Sequence, residues 1–173
     1  MSLAFLSPRT GALIVLAGMG GVIATVLGFQ HIGGYIPCAL CLQQRIPYYV
    51  AIPVLVVALV ATIALGRVSI LKVGLVSAGI AMVIAAGLGA YHAGVEWDWW
   101  AGPTTCGTVS GGSMGDAGSL LDQLSSVRPP SCDAAAGRFL GLSFAGWNVV
   151  ASLMLAALAF LALRREPTEV SER

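Results

Sequence analysis

Long runs of apolar residues dominate the chain and are separated by shorter polar stretches. A run of roughly 20 apolar residues crosses about 30 Å of hydrocarbon as an α-helix. Four runs meet that length, at residues 11–29, 46–65, 70–91 and 143–163. None of them contains an acidic residue, and Lys72 near the start of the third is their only charged residue. The pattern predicts an all-α membrane protein, an antiparallel bundle of four transmembrane helices.

Composition supports this prediction. Of 173 residues, 57% are hydrophobic and 10% are charged, whereas a soluble domain carries about 25% charged residues. The net charge of +1 and the lack of a basic stripe argue against nucleic-acid binding. The first run has 19 residues, more than the roughly 7–15 of a signal-peptide core, so we interpret it as a retained helix.

Lys and Arg residues next to the predicted helices indicate their orientation, because cytoplasmic loops are enriched in them. Arg9 precedes the first helix, Arg67 and Lys72 flank the turn between the second and third, and Arg164 and Arg165 follow the fourth. We therefore expect both termini in the cytoplasm. The loops at residues 30–45 and 92–142 are then on the outer side.

The long outer loop contains a short amphipathic pattern. Leu120, Leu121, Leu124 and Val127 share one helical face, which is typical of a helix lying on the membrane surface. The two prolines that follow would end this helix and leave Cys132 on a strap that can change partners.

All four cysteines, Cys38, Cys41, Cys106 and Cys132, fall in the two outer loops. A structural zinc site usually needs two closely spaced pairs, and only the first pair is close. A structural disulfide suits Cys106 and Cys132, where closing the loop would contribute roughly 3 kcal/mol. The Cys38-x-x-Cys41 spacing at a helix start is typical of redox-active dithiols.

Residues that follow this C-x-x-C pair extend the pattern. Cys38, Cys41, Arg45 and Tyr48 share a face if a helix begins near Cys38. Arg45, one turn beyond Cys41, is then placed to stabilise a thiolate together with the helix dipole. We interpret Tyr48 and Tyr49 as interfacial aromatic residues.

Three polar residues are predicted to lie at the same membrane depth. Gln30 closes the first helix, Arg45 opens the second, and His92 follows the third. Together they could donate hydrogen bonds to the carbonyl oxygens of a flat, lipid-soluble molecule held between helices, a description that a quinone fits. His31 is interpreted as ordinary interfacial polarity.

The order of motifs resembles the bacterial inner-membrane DsbB family over nearly the whole chain. The matching segments are Phe29-Gln30-His31, Pro37-Cys38-x-x-Cys41-x-x-x-Arg45, Gly102-Pro103-x-x-Cys106, Cys132 after a 25-residue gap, and Phe139-Leu140-Gly141-Leu142-Ser143 leading to Trp147. The stretch after His92 aligns less cleanly.

The resemblance implies a disulfide-generating thiol:quinone oxidoreductase. By family position, Cys106 and Cys132 form the disulfide that a periplasmic DsbA-like thiol oxidase of thioredoxin fold attacks. Cys132 then attacks Cys38 and frees Cys41, and Cys41 contacts the quinone. The cofactor expected from the resemblance is ubiquinone or menaquinone, and no metal is expected. By the same resemblance Arg45 stabilises charge, and Gln30 and His92 assist the quinone.

Three other functions are compatible with four helices and four cysteines. A reductase of the vitamin K epoxide reductase type uses similar chemistry, but its loop cysteines precede the C-x-x-C pair. A transporter with structural disulfides and a membrane assembly scaffold are the others. An acidic residue that would mark an ion path is absent from all four predicted spans.

Overall fold

A computed structural model describes residues 7–103 and 132–164. These residues form four long helices, α1 Pro8–His31, α2 Ala39–Leu65, α3 Val68–Glu96 and α4 Phe144–Leu163. Each is long and apolar enough to cross a membrane. The predicted fold, a membrane bundle of four helices, is therefore confirmed. The predicted surface helix and Cys106 lie outside the described residues.

The helix ends follow from local capping groups. Cys38 precedes α2 in an extended conformation, and its sulfur accepts a hydrogen bond from the backbone amide of Cys41. Ser143 caps α4 in the same way through its hydroxyl oxygen. Gly66 ends α2 with φ of 66°, a left-handed conformation that favours glycine. A cysteine thus occupies a position usually taken by a small polar cap.

A short hairpin leads into α4. Its strands are β1 Arg138–Phe139 and β2 Leu142–Ser143. Leu140 and Gly141 form the turn with φ of 51° and 84°, the positive values that a two-residue hairpin turn needs. Trp147 on α4 donates its indole N–H to the Phe139 carbonyl at 2.9 Å, which fixes the hairpin against the helix.

Helix α3 packs most extensively, against α2 on one side and α4 on the other, and α1 closes the bundle against α2 and α4. Fully buried side chains along the central seam include Met19, Leu55, Leu75, Met82 and Ala159. Close approach depends on small residues, since a Cβ at Gly74 would overlap the Ala58 methyl group.

The first outer loop is shorter than predicted. Helix α2 begins at Ala39 rather than residue 46, so the loop at 30–45 reduces to the few residues before Cys38, and Cys41 and Arg45 are helical. The hydropathy pattern placed the start of α2 too late along the chain, because its first turns carry polar side chains. These side chains, Gln44 and Arg45, pair with other residues inside the bundle.

The second outer loop also begins later than predicted. Helix α3 continues to Glu96 instead of ending at residue 91, so His92 lies on the helix and not in the 92–142 loop. A helix of 29 residues is about 44 Å long, longer than the hydrocarbon layer. Its last turns therefore reach the membrane rim, beside the start of α2.

Candidate active site

The two cysteines of the C-x-x-C pair lie together at the start of α2. Both are free thiols, and their Sγ atoms are 2.8 Å apart. Cys38 Sγ also accepts the Cys41 backbone N–H at 3.3 Å. Hydrogen bonding from the Cys41 side chain, with smaller contributions from His92 and that backbone amide, lowers the pKa of Cys38 to about 4 although burial opposes the shift. Cys38 is therefore held as a thiolate at neutral pH.

His92 approaches this pair from α3. Its Nε2 lies 3.7 Å from Cys38 Sγ and 3.8 Å from Glu96 Oε1, one turn further along the helix. Its Nδ1 lies 2.6 Å from the amide nitrogen of Gln44. The imidazole is only 3% exposed, so these protein groups are its immediate environment.

A chain of buried polar groups continues from His92 into the bundle. The Gln44 carbonyl oxygen accepts from the Asn148 amide at 2.9 Å. The Asn148 carbonyl oxygen accepts from the Tyr48 hydroxyl at 3.0 Å, and the Tyr48 hydroxyl is 2.7 Å from the Ser152 hydroxyl. The chain joins α2, α3 and α4, and it gives each buried group a partner.

Several of these residues were not predicted from the sequence. The sequence patterns did not identify Gln44 and Asn148 as site residues, although a lone amide inside a long apolar helix is a signal for buried polar contacts. The interfacial interpretation was wrong for Tyr48, which is 1% exposed, whereas Tyr49 is 48% exposed. Helix rotation, which hydropathy does not reveal, separates the two tyrosines.

Arg45 and Gln30 meet on the other side of Cys41. The Arg45 Nη1 donates to the Gln30 carbonyl oxygen at 2.7 Å. Both line a cavity between α1, α2 and α4, together with Cys41 and His92. Gln30, Arg45 and His92, which the sequence predicts at one membrane depth, thus line the same cavity. Its apolar walls are Val22, Ile23, Val26, Phe29 and Phe144.

Cys132 is buried beside the thiol pair. Its side chain is 1% exposed and belongs to a buried cluster with Cys38, Leu40 and Val95, against which Cys41 also packs. Cys132 is disulfide-bonded. Cys132 thus lies in the core next to Cys38, and its predicted ability to change partners stays a prediction.

The arrangement defines a class of protein. A dithiol with one stabilised thiolate lies between a buried disulfide cysteine and an apolar cavity that carries a fixed cation. These are the parts of a membrane thiol–disulfide oxidoreductase. The ligand atoms of Cys38, Cys41 and His92 also lie within 4.8 Å of one another, so the same groups have the spacing to hold a metal ion.

Sequence comparisons identify the family within this class. The model of the family described as "Disulfide bond formation protein DsbB" matches residues 8–162, so the chain belongs to the DsbB family. The chain is 36% identical over 159 residues to "Disulfide bond formation protein B" of Saccharophagus degradans, covering 88% of this chain and 91% of that relative. No solved structure matches significantly. The protein is thus a multi-pass inner-membrane oxidoreductase of disulfide bond formation.

Proposed function

We propose that the protein reoxidises a periplasmic DsbA-like thiol oxidase and passes the electrons to a membrane quinone, ubiquinone or menaquinone. One observation carries this proposal: a disulfide-bonded Cys132 packs against Cys38, and Cys41 lines an apolar cavity with Arg45. A route for electrons from one sulfur pair to the next, and from there to a ligand between the helices, needs these contacts.

Cys106 is the proposed disulfide partner of Cys132 and the cysteine that the reduced partner attacks. Two of the four cysteines are free thiols, which favours this pairing. Attack forms a mixed disulfide with Cys106 and releases Cys132 as a thiolate. Cys132 then attacks Cys38 of an oxidised Cys38–Cys41 pair, and Cys41 leaves as a thiolate.

Two further exchanges complete the cycle. The second thiolate of the partner resolves the mixed disulfide and frees Cys106, and the partner leaves oxidised. Cys106 then attacks Cys132, which restores their disulfide and releases Cys38. Cys38 and Cys41 now form a free dithiol beside a bonded Cys132, which is the redox state of these three residues in the structure.

The Cys38 thiolate and the Cys41 thiol finally give up two electrons and one proton and close their disulfide. A bound quinone would accept the two electrons, that proton and a second proton from water, and would become quinol. The stabilised thiolate at Cys38 belongs to this free-dithiol state. The Cys41 thiolate implied by family resemblance belongs to the earlier state, in which Cys38 is bonded to Cys132, so the two assignments are compatible.

The cavity residues fit a quinone head group. Arg45 donates one N–H to Gln30, and a guanidinium has five such donors, so donors remain for a carbonyl oxygen. Gln30 then acts by orienting Arg45. His92 lines the cavity, but both of its ring nitrogens contact protein groups. We therefore propose that His92 mainly stabilises the Cys38 thiolate and contributes less to quinone binding.

A second groove between α1 and α4 lies next to the cavity. Five residues line both spaces: Val22, Val26, Phe29, Phe144 and Asn148. An adjoining apolar groove of this kind suits the isoprenoid tail of a quinone.

Charge distribution supports the orientation that this reaction requires. Cys38, His92 and Cys132 all lie at the end of the bundle opposite the Gly66–Arg67 turn. Arg and Lys residues concentrate at that other end, which favours a cytoplasmic turn with cytoplasmic termini and a periplasmic thiol site. A DsbA-like oxidase, near about −120 mV, needs a strongly oxidising acceptor such as the quinone pool.

The test is quinone reduction by the purified protein in detergent. Reduced DsbA-like oxidase and a soluble quinone analogue are mixed with enzyme, and quinol formation is followed by absorbance. We expect turnover that Cys41→Ser abolishes, while Gln43→Ala on the same turn leaves it unchanged. Turnover that persists in Cys41→Ser, or no turnover by the native protein, contradicts the proposal. Formation of partner dithiol from oxidised partner and quinol would favour a reductase instead.

A further inference from the structure

We propose that the reduced site binds one Zn²⁺-like divalent cation through Cys38, Cys41 and His92, with the neighbouring Glu96 moving in as the fourth ligand, and that the bound cation prevents the dithiol from closing its disulfide. The site is distinct from a resident metal centre, because it exists only while both cysteines are reduced. The inference goes beyond the proposed function, since metal binding needs neither quinone nor partner.

Ligand spacing is the first argument. Zinc binds thiolate at about 2.3 Å and imidazole at about 2.0–2.1 Å, so tetrahedral geometry separates S and N ligands by about 3.6 Å. The Cys38 Sγ to His92 Nε2 distance is 3.7 Å. Two sulfur ligands need about 3.8 Å, and the present 2.8 Å reaches that value when the Cys41 side chain shifts by about 1 Å.

Glu96 is the second argument, and it is independent of the cysteines. Its side chain is only 4% exposed and its Oε1 lies 3.8 Å from His92 Nε2. Its Oε2 is buried without a hydrogen-bond partner among the described residues. An unsatisfied buried carboxylate oxygen is costly. Glu96 lies outside the group of three whose ligand atoms are within 4.8 Å of one another, so its side chain must move towards the sulfurs to become the fourth ligand, and this movement gives Oε2 a partner.

The polar chain behind His92 supplies the outer contacts that a ligating imidazole needs. A histidine that binds metal through Nε2 carries its proton on Nδ1 and donates it to a carbonyl or carboxylate. The Gln44 side-chain amide contacts Nδ1 of His92. Rotation of this amide by about 180° exchanges its nitrogen and oxygen and presents a carbonyl oxygen to Nδ1. When Gln44 turns over, it gives up the hydrogen bond from the Asn148 amide nitrogen, which keeps the Ala85 carbonyl oxygen at 3.3 Å as its acceptor.

The chemistry excludes simultaneous metal binding and oxidation. Cation binding displaces the remaining thiol proton, that of Cys41, into the solvent, and no electrons move. A Cys38–Cys41 disulfide has no thiolate to offer, so oxidised protein does not bind. Conversely, sulfurs held by the cation cannot reach the disulfide distance of about 2.05 Å. A borderline-soft cation therefore keeps the site reduced.

Cobalt is the probe for the experiment, because Co²⁺ adopts the geometry of Zn²⁺ and absorbs visible light. The Cys106→Ser/Cys132→Ser background leaves only the C-x-x-C thiols, and purification uses a tag without histidine. We expect the reduced protein to bind one Co²⁺ per chain with thiolate-to-cobalt charge transfer and four-coordinate d–d bands. Zn²⁺ should displace it, and disulfide-oxidised protein should show neither band.

Single substitutions distinguish this site from casual binding to two thiols. We expect His92→Ala and Glu96→Gln each to weaken Co²⁺ affinity by about 10- to 100-fold, and Gln44→Ala to weaken it within the same range. His31→Ala, at the exposed end of α1, is the matched control and should have no effect. Absence of the bands, equal binding by oxidised protein, or unchanged affinity in both His92→Ala and Glu96→Gln would overturn the proposal.

An activity arm separates this inference from the proposed function. Where quinone reduction occurs, Zn²⁺ should inhibit it reversibly, and a chelator should restore the rate. Protein that does not reduce quinone but still gives the cobalt bands would contradict only the proposed function. Protein that reduces quinone but lacks those bands would contradict only the metal site.

Discussion

The amide nitrogen of Gln44 lies 2.6 Å from Nδ1 of His92. That nitrogen can only donate, so Nδ1 accepts and the ring proton of neutral His92 is on Nε2, facing the Cys38 sulfur. A glutamine on α2 thus selects the tautomer of a histidine on α3. Asn148 on α4 holds the glutamine in that orientation.

Replacing this glutamine should disturb both stability and sulfur chemistry. Gln44→Ala removes a buried donor and leaves groups on His92 and Asn148 unsatisfied, which costs about 1–3 kcal/mol of unfolding free energy. Thermal unfolding in detergent measures the loss. Gln43→Ala, on the exposed neighbour, is the control and should unfold as the native protein does. Equal stability of the two variants would show that the contact does not contribute.

The acidity of Cys38 gives a pH profile. Because its pKa is lowered to about 4, the thiolate persists as pH falls from neutral and is lost only near that value. In the Cys106→Ser/Cys132→Ser background, alkylation of Cys38 by iodoacetamide should therefore stay constant from about pH 9 to 6 and fall with a midpoint near 4.

The main cause of that acidity, the hydrogen bond from the Cys41 side chain, can be isolated with a pair of variants. Cys41→Ala removes the side-chain hydrogen bond and should move the alkylation midpoint upward, towards the ordinary value of a thiol. Cys41→Ser keeps a hydroxyl donor and should retain most of the shift. Identical midpoints in the two variants would exclude the Cys41 hydrogen bond as the cause and leave His92.

Arg45 should matter to the cavity ligand and not to the protein partner. Removing a charged hydrogen-bond donor costs about 1.5–3 kcal/mol, so Arg45→Ala should raise the KM for quinone about 10- to 100-fold. Its covalent complex with reduced partner should form as in the native protein, which gel electrophoresis without reductant measures. Equal losses in both assays would contradict the assignment.

Trapping separates the roles of the outer cysteines. Each single variant lacks the Cys106–Cys132 disulfide, so the partner is supplied in its oxidised form, and the remaining outer thiol attacks the partner's disulfide and releases the partner's second sulfur as a thiolate. In Cys132→Ser the proposed partner-facing Cys106 is present, and the mixed disulfide should accumulate because Cys132 is missing and cannot carry out the next exchange. In Cys106→Ser only Cys132 remains, which is 1% exposed, so the covalent complex should not form. Complex formation in Cys106→Ser, or its loss in Cys132→Ser, would reverse the order of the relay.

The bundle, the thiol pair and the convergence of Gln30, Arg45 and His92 could be predicted because each depends on spacing along the chain. Gln44 and Asn148 could not, since their pairing depends on how α2 and α4 are rotated. The helix ends were misplaced for a related reason. Hydropathy treats polar residues as exposed, whereas here they satisfy one another inside the protein.

Close packing of α2 and α3, which holds the thiol pair near His92, can be tested at two glycines of α3. A Cβ at Gly74 would overlap the Ala58 methyl group and lie 3.4 Å from Leu55 Cδ1, whereas a Cβ at Gly87 meets nothing within 4 Å. Gly74→Ala should therefore lower the free energy of unfolding by about 1–3 kcal/mol, the cost of overpacking.

Gly87→Ala is the matched control, because it makes the same chemical change in the same helix at an exposed position. Alanine favours helix over glycine by up to about 1 kcal/mol, so this variant should be neutral or slightly more stable. Thermal unfolding in one detergent compares the two directly. If Gly74→Ala proved as stable as Gly87→Ala, close backbone approach would not be what holds α2 against α3, and the placement of His92 beside Cys38 would need another cause.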